Sequence, residues 1–385
     1  MAVDIVPSVI YSSMMGMTVF ALIDVASRPR QRQSVYLGGL LALLLIHILG
    51  ELFIYSGAYQ YAPALAGAQF PIRMLLGPAL YFYAFATMSF EKTLPKKAYM
   101  LALLGPVIVI LGMLPFVFGI SAEDKLALAD PATRDADLFQ IALLTCLFAL
   151  SAFIFVTCAY LAATLRLQSR HRLQLMERFS SIEKRSMDWF KVILVLWGCV
   201  WFLFALEYGL NFVGWNWFGS GIVLPALEAL VLMIFAHFAL KQAVLEEADK
   251  GEPQTRQVRT TTLELTQMEQ IADKLKSVMT KEALFLEEEL SLKRLSDAIS
   301  VSENYISETL SQFLKTNFFQ FVNSYRVEQA KSLLVSTDKT VSSIAFEVGF
   351  NSKSTFNAAF KKSAGTTPTA YRKQEKLLVI EKTVN

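Results

Sequence analysis

The sequence predicts an all-α chain in two parts: a seven-transmembrane helix bundle over residues 1–240 and a polar helical module near the C-terminus. Three observations carry that prediction. Of 385 residues, 54% are hydrophobic and 18% charged, where soluble domains average about 25% charged. The mean hydropathy of +0.42 is too high for one water-soluble globule. The charge is also uneven, since the first 240 residues hold 30 of the 69 acidic and basic side chains. Finally, the C-terminal part repeats one helical pattern twice.

A bilayer core about 30 Å thick needs roughly 20 apolar residues of helix, because no water is there to satisfy backbone N–H and C=O groups. Seven segments reach that length, near 5–26, 35–55, 70–90, 98–120, 138–165, 189–213 and 220–240. The first has Asp4 before it and Arg28, Arg30 and Arg32 after it, the reverse of a cleaved signal peptide's charge order. With the N-terminus outside, twelve basic residues fall in inner loops: those three arginines, Lys92, Lys96, Lys97, Arg166, Arg170, Arg172, Arg178, Lys184 and Arg185. Only Arg73, Lys125 and Arg134 fall outside, the asymmetry of a multi-pass protein of the bacterial cytoplasmic (inner) membrane. The C-terminus is then cytoplasmic. All five tryptophans lie between 189 and 217, with Trp189 and the Trp215/Trp217 pair at opposite ends of the sixth span, as interfacial anchors.

Ionisable residues inside the spans are expensive, about 2.5–3.5 kcal/mol each at the bilayer centre. His47 and Glu51 share one helix face at i, i+4. Glu51, Arg73, Glu207 and Glu228 all fall in the outer half of their spans. Two readings stand: a polar pocket open to the outside that senses an unknown small ligand, or ion pairs between Arg73 and the glutamates that hold the bundle together. Three glutamates against one arginine favour a cationic or proton-linked stimulus in the first case.

From Lys241 the composition turns polar, and Gly251 and Pro253 break any helix leaving the lipid. Residues 241–262 read as a cytoplasmic linker and 263–289 as a connecting helix, a candidate relay or homodimerisation element. Residues 241–289 carry 7 basic and 11 acidic groups, whereas 290–376 carry 12 basic and 7 acidic. The positive patch belongs to 290–376, followed by a tail, 377–385. Within it Leu292, Leu295, Ile299 and Val301 match Val341, Ile344, Val348 and Phe350 at an offset of 49. Ser302, Ile306 and Leu310 match Ser352, Phe356 and Phe360 at an offset of 50, one residue having entered the turn. Each copy reads as a short helix, a tight turn, a Ser N-cap and a second helix, which is a helix-turn-helix unit.

These residues resemble the AraC-type (AraC/XylS) DNA-binding domain. The second half carries its signature in Ile344-Ala345-Phe346-Glu347-Val348-Gly349-Phe350, Ser354-Thr355-Phe356, Phe360-Lys361-Lys362 and Gly365-Thr366-Thr367-Pro368-Thr369-Ala370-Tyr371-Arg372. The helix Tyr325-Arg326-Val327-Glu328-Gln329-Ala330-Lys331-Ser332-Leu333-Leu334 matches the segment joining the two units. Departures are Ser300, where a glycine is common, and Asn357-Ala358-Ala359, where a bulkier polar residue often sits. The resemblance covers residues 292–372 and implies a seven-helix domain with two helix-turn-helix units. The apolar part is similar to the sensor region of membrane-bound AraC-type regulators, for instance in Leu76-Gly77-Pro78-Ala79-Leu80-Tyr81.

Carried over residue by residue, the first recognition helix offers Ser302, Glu303, Asn304, Tyr305 and Ser307 to DNA. The second offers Asn351, Ser352, Lys353, Ser354, Thr355 and Asn357. Asn suits adenine and Lys guanine, while Lys315, Lys361, Lys362 and Arg372 suit phosphate. Arg326 and Glu328 read as structural, and Gly349 as a backbone requirement. The resemblance implies promoter DNA and RNA polymerase as partners, besides the lipid bilayer and the small ligand. Cys146, Cys158 and Cys199 stand far apart in apolar runs, so neither a zinc site nor a disulfide framework is expected. No catalytic residue, metal or cofactor is expected. A transporter or channel with a regulatory DNA-binding tail is the rival, opposed by the lack of an inverted repeat. An intramembrane enzyme using Glu51 and Glu228 as acid and base lacks any accompanying motif.

Overall fold

The computed structural model describes residues 3–89, 93–128, 133–183, 185–212, 221–242 and 263–384. They are built from helices, and the β pairing among them is a single isolated bridge between Phe179 and Ser291. The chain forms two compact units: Met1–Gln168 with Asp188–Pro253, and Ser169–Met187 with Gln254–Asn385. The expected domain of residues 1–240 thus loses an internal stretch to the C-terminal unit.

The first unit contains α1 (Ile5–Ser27), α2 (Arg32–Tyr55), α3 (Gln69–Arg73), α4 (Leu76–Met88), α5 (Lys96–Gly119), α6 (Ala122–Ala127), α7 (Ala136–Arg178), α8 (Asp188–Phe212) and α9 (Val223–Lys241). Its compact boundary falls after Gln168, inside α7. Helices α1, α2, α5, α7, α8 and α9 are each long and apolar enough to cross a membrane. Their outward faces stay apolar, with Phe20, Leu101, Phe118, Phe155 and Phe202 exposed; such faces suit a hydrocarbon solvent.

The expected span at 70–90 differs, being split into α3 and α4. Pro78 has no N–H to give the Met74 carbonyl, and Leu75 N–H turns back to Ile72 O at 3.0 Å. Met74 and Leu75 nevertheless keep right-handed helical dihedrals, at φ −60° and −81°, so residues 69–88 still advance by about 30 Å. Ten of the thirteen α4 residues are buried, which places this helix among the others instead of on the rim. The helix ends show that it traverses the unit. The last turn of α2, the start of α3, the ends of α5 and α8 and the starts of α7 and α9 border one cavity. At the opposite end Arg32, opening α2, donates to Phe85 O near the end of α4 at 2.7 Å, and Tyr36 of α2 bonds Tyr99 of α5.

In the second unit, α10 (Leu265–Lys281) stops well short of the expected Glu289, because Ala283 turns left-handed at φ 50°. A capping box between Glu264 and Gln267 starts it. Its apolar stripe of Ile271, Leu275, Val278 and Met279 enters one core with Leu292, Leu295, Ile299, Ile306, Leu310, Phe318 and Val322, so that face is committed within the unit. Helices α11 (Leu292–Ile299) and α12 (Glu303–Glu308), the latter widening into a π-turn at Thr309–Phe313, form the first helix-turn-helix. Helices α14 (Val341–Glu347) and α15 (Lys353–Ala364) form the second, and α16 (Pro368–Val384) follows. Between them runs α13 (Phe318–Ser336), whose Phe318, Phe321 and Val322 lie in the first core and Val327, Ala330 and Leu334 in the second, with Phe350, Phe356 and Phe360. Among the described residues of 263–384 this makes seven α-helices, counting the π-turn with α12, besides a 3₁₀ turn at Leu284–Leu286.

Each helix of the two motifs starts on a side-chain cap, as the Ser, Thr and Asn positions dictate. Ser291, Ser302, Asn317, Thr340 and Ser352 accept from backbone N–H groups three residues on, at 2.9–3.4 Å. The two turns solve the same problem differently. Ser300 and Gly349 both take positive φ, 53° and 92°, but a Cβ at Gly349 would lie 2.9 Å from both Phe285 O and Leu286 O. Gly349→Ala is therefore expected to cost more than the roughly 1–2 kcal/mol of a left-handed residue alone, accelerating amide exchange throughout α14 and α15. Ser300→Gly, which only relaxes dihedrals, leaves exchange unchanged or slower. Protection in Gly349→Ala equal to that of the parent would contradict this account.

Candidate nucleic-acid interface and polar cavity

The second unit presents both recognition helices by their N-terminal ends. In the first, Ser302, Asn304 and Tyr305 are exposed, with Glu303 and Ser307 half-buried. In the second, Lys353 and Ser354 are exposed, while Asn351, Ser352, Thr355 and Asn357 are half-buried. Ser352 Oγ is the α15 cap and also lies 3.0 Å from Ser354 Oγ and 3.1 Å from Thr355 Oγ1. Lys315, Lys361 and Lys362 are exposed, the last two in the final turn of α15, where cations are favoured. Arg372 is placed differently from the other expected phosphate contacts. Its guanidinium donates to Leu334 O at 3.0 Å and Lys339 O at 2.6 Å, tying α16 to the end of α13 and the loop after it.

Arg326 is fully buried at the meeting of the two cores. Its five N–H groups meet five acceptors: Phe285 O, Glu287 O, Asn323 Oδ1, Ser180 O and Ser180 Oγ, at 2.7–3.4 Å. Its guanidinium carbon stands 5.5 Å from the centre of the Phe350 ring. Burial pulls its pKa down to about 10, opposed by Glu183, Glu288 and Glu289 nearby, so the group stays charged at neutral pH.

Ser180 belongs to a segment that the sequence reading used only for its basic charge. Residues 179–183 and Arg185 lie against the C-terminal region within the second unit. Phe179 pairs with Ser291, and Ser180 donates to Leu290 O through both N and Oγ, at 3.0 and 2.8 Å. Arg185 pairs with Glu289 at 2.6 Å. Asn351 Nδ2 donates to Ser181 Oγ and to Glu289 Oε1, each at 2.8 Å. Glu183 accepts from Ser181 at 2.6 Å, and the Thr355 hydroxyl nearby helps to hold its carboxyl below the ordinary value. Nothing in the local pattern of this segment marks these long-range contacts, which join residues 104 to 170 positions apart.

The first unit holds the other candidate site, a cavity of about 450 Å³. Glu51, Tyr55, Tyr59, Arg73, Phe204 and Glu207 are among its walls. Glu51 and Arg73 form a buried, hydrogen-bonded ion pair, His47 Nδ1 stands 3.9 Å from Glu51 Oε1, and the Arg73 guanidinium lies 5.2 Å from the Phe204 ring centre. Glu207 accepts from Gly221 N–H at 3.0 Å. Glu228 does not border the cavity; it accepts from Tyr11 Oη at 3.0 Å, and Tyr11 stacks on Tyr55. The Glu51–Arg73 ion pair forms part of the cavity wall. The tyrosines Tyr11, Tyr55 and Tyr59 were not among the expected site residues, because phenols in apolar helices are indistinguishable in sequence from packing residues.

Residues 295–374 match the helix-turn-helix domain family. Over 100 residues the chain is 37% identical to an HTH-type transcriptional regulator of Staphylococcus aureus (strain COL), covering 26% of this chain and 13% of that one. It is 34% identical over 90 residues to the HTH-type transcriptional regulator YtdP of Bacillus subtilis (strain 168), covering 23% and 12%. The chain thus spans about an eighth of the length of these relatives. Among solved structures, the C-terminal domain of the response regulator AraT from Geobacillus stearothermophilus aligns at 29% identity and a TM-score of 0.24, over 27% of this chain and 84% of that one. The C-terminal domain of the response regulator yesN from Fusobacterium nucleatum aligns at 27% identity and 0.25, over 27% and 98%. The C-terminal region is an AraC-type helix-turn-helix domain.

Two predictions follow from the buried charges. Lysine has three donors, so Arg326→Lys leaves at least two of the five acceptors unmet and is expected to cost about 2–4 kcal/mol, read as a lower urea midpoint for exposure of Trp-free second-unit amides by hydrogen exchange. Glu51→Ala leaves Arg73 buried without its carboxylate and should cost about 3–5 kcal/mol. The Glu51→Ala/Arg73→Ala double variant should recover part of that loss in a thermal-stability assay of the detergent-solubilised chain; additive losses would show that the two side chains are not coupled.

Proposed function

We propose that the chain is a membrane-embedded, one-component transcriptional regulator whose apolar unit senses a signal and whose C-terminal unit binds promoter DNA. The observation that carries this reading is the joining, in one chain, of an AraC-type helix-turn-helix domain to helices that present apolar faces outward. The shared cavity at one end of the first unit supports seven crossings, with α3 and α4 together supplying the third. An odd number puts the N-terminus outside and the DNA-binding unit in the cytoplasm, in agreement with the basic residues of the inner loops.

Two helix-turn-helix units on one chain can read major-groove segments about one turn, roughly 10 bp, apart. Asn351, Lys353, Ser354, Thr355 and Asn357 of the second helix-turn-helix motif and Ser302, Glu303, Asn304, Tyr305 and Ser307 of the first are the base-reading set; Lys315, Lys361 and Lys362 supply salt-dependent phosphate affinity. RNA polymerase is the partner through which promoter binding acts, and a homodimer would double the operator. The cavity is the sensing site. Glu51 and Glu207 against Arg73 leave its wall formally one negative charge in excess, which favours a small cationic ligand.

Genome-wide crosslinking and sequencing of DNA bound to the full-length protein in its native membrane tests this directly. A few sharp promoter peaks, absent with Lys353→Ala/Asn357→Ala, are expected. Absence of peaks across several growth conditions, with the protein present in the membrane, would reject the regulator.

A further inference from the structure

The residues 179–185 occupy part of the face that reads DNA. Reading adenine through asparagine requires one amide N–H to reach N7 while the carbonyl accepts from N6. Both N–H groups of Asn351 are already given away, to Ser181 Oγ and Glu289 Oε1 at 2.8 Å. Thr355, four residues further along the same edge, has the Glu183 carboxylate beside it and helps to hold that carboxyl down. Burial alone would raise the Glu183 carboxyl; the hydrogen bonds from Ser181 and Thr355 and from backbone outweigh it and hold the group below its ordinary value, so it is an anion at neutral pH. An anion beside the N-terminal turn of α15 stands where the helix favours negative charge, the same chemistry by which a DNA phosphate binds a helix start. The Glu183 anion also repels a phosphate approaching this edge, whereas Glu289 is paired with Arg185.

The segment is held independently of these two side chains. Ser180 and Ser181 are buried, Phe179 pairs with Ser291, and Arg326 grips the Ser180 carbonyl and hydroxyl. It is therefore a built partner of the C-terminal region, continuous in the chain with α7 on one side and α8 on the other.

We propose that residues 179–185 are a resident competitor for DNA: with Ser181 and Glu183 seated on Asn351 and Thr355, the second recognition helix is held off its target, and release of the segment admits DNA. This inference rests on the reading of the C-terminal unit as a DNA binder. It assigns the segment between α7 and α8 as the element through which a signal in the apolar unit controls the reader.

The test uses the full-length chain in lipid nanodiscs and a duplex library randomised over roughly 30 bp, long enough for two groove segments about one turn apart. Ser181→Ala/Glu183→Ala removes the competing groups without touching the reading residues and should tighten DNA binding about tenfold or more, as loss of the Asn351–Ser181 hydrogen bond together with the carboxylate beside Thr355 allows. For the opposite state, residues paired across an antiparallel bridge have Cα atoms about 4.5–5.5 Å apart, within disulfide range. A Phe179→Cys/Ser291→Cys protein, with Cys146, Cys158 and Cys199 replaced by alanine, should bind at least tenfold more weakly oxidised than reduced. The reduced form of the same protein reports whether the substitutions themselves harm the fold. Equal binding in oxidised and reduced forms, or no gain in Ser181→Ala/Glu183→Ala, would overturn the competition while leaving the DNA-binding reading intact. Absence of binding in every form would overturn that reading and this inference together.

Discussion

A guanidinium taken out of water must find an acceptor for each N–H, and the second unit is organised around meeting that demand at Arg326. Two acceptors come from the turn between α10 and α11, one from its own helix and two from Ser180. The Phe350 ring, from the turn of the second motif, covers its face. One side chain thereby fixes the register of four separate segments. Because carbonyl oxygens are directional, this arrangement tolerates little sliding, whereas the apolar cores on either side would accept small shifts. Gly349 belongs to the same constraint: the turn lies so close to Phe285 O and Leu286 O that no side chain fits there.

The long helix α13 carries this junction into both motifs. Its first turns fill the core of one and its later turns the core of the other, so neither motif has a private core. In the apolar unit the same rule about buried polar groups operates under a different solvent. Arg73 and Glu51 neutralise each other, Tyr11 satisfies Glu228, and Gly221 N–H satisfies Glu207. The ion pair borders the cavity instead of filling it, which with Glu207 gives the cavity a charged wall within a lining of aromatic, aliphatic and small residues.

Much of the local structure was legible from residue type. The capped helix starts at Ser302 and Ser352, the apolar matches of the two repeats and the structural parts of Arg326 and Gly349 all follow from short-range patterns. The two motifs could be aligned because each residue's role depends on neighbours three or four positions away. The break at Pro78 was signalled by the proline, but not that α4 would be buried on most of its surface. Arg372 reads as a phosphate contact by its charge alone; its commitment to Leu334 O and Lys339 O depends on tertiary placement. The least legible feature was the part played by residues 179–185, since basic charge in a loop reports its side of the membrane and nothing about what it touches. Contacts across 170 positions leave no periodicity.

The second unit is discontinuous in the chain, Ser169–Met187 with Gln254–Asn385, and this bears on how it comes into being. During synthesis Ser180 emerges long before Arg326, and Ser181 precedes Asn351 by 170 residues. At about 5–20 residues per second, that interval is on the order of ten to thirty seconds, during which α8 and α9 must be threaded into place. The early piece waits, exposed, for a partner that does not yet exist. The natural structural fragment is accordingly not the C-terminal stretch of sequence: a protein beginning after α9 would carry Arg326 with two of its five acceptors missing and Asn351 without its bond to Ser181.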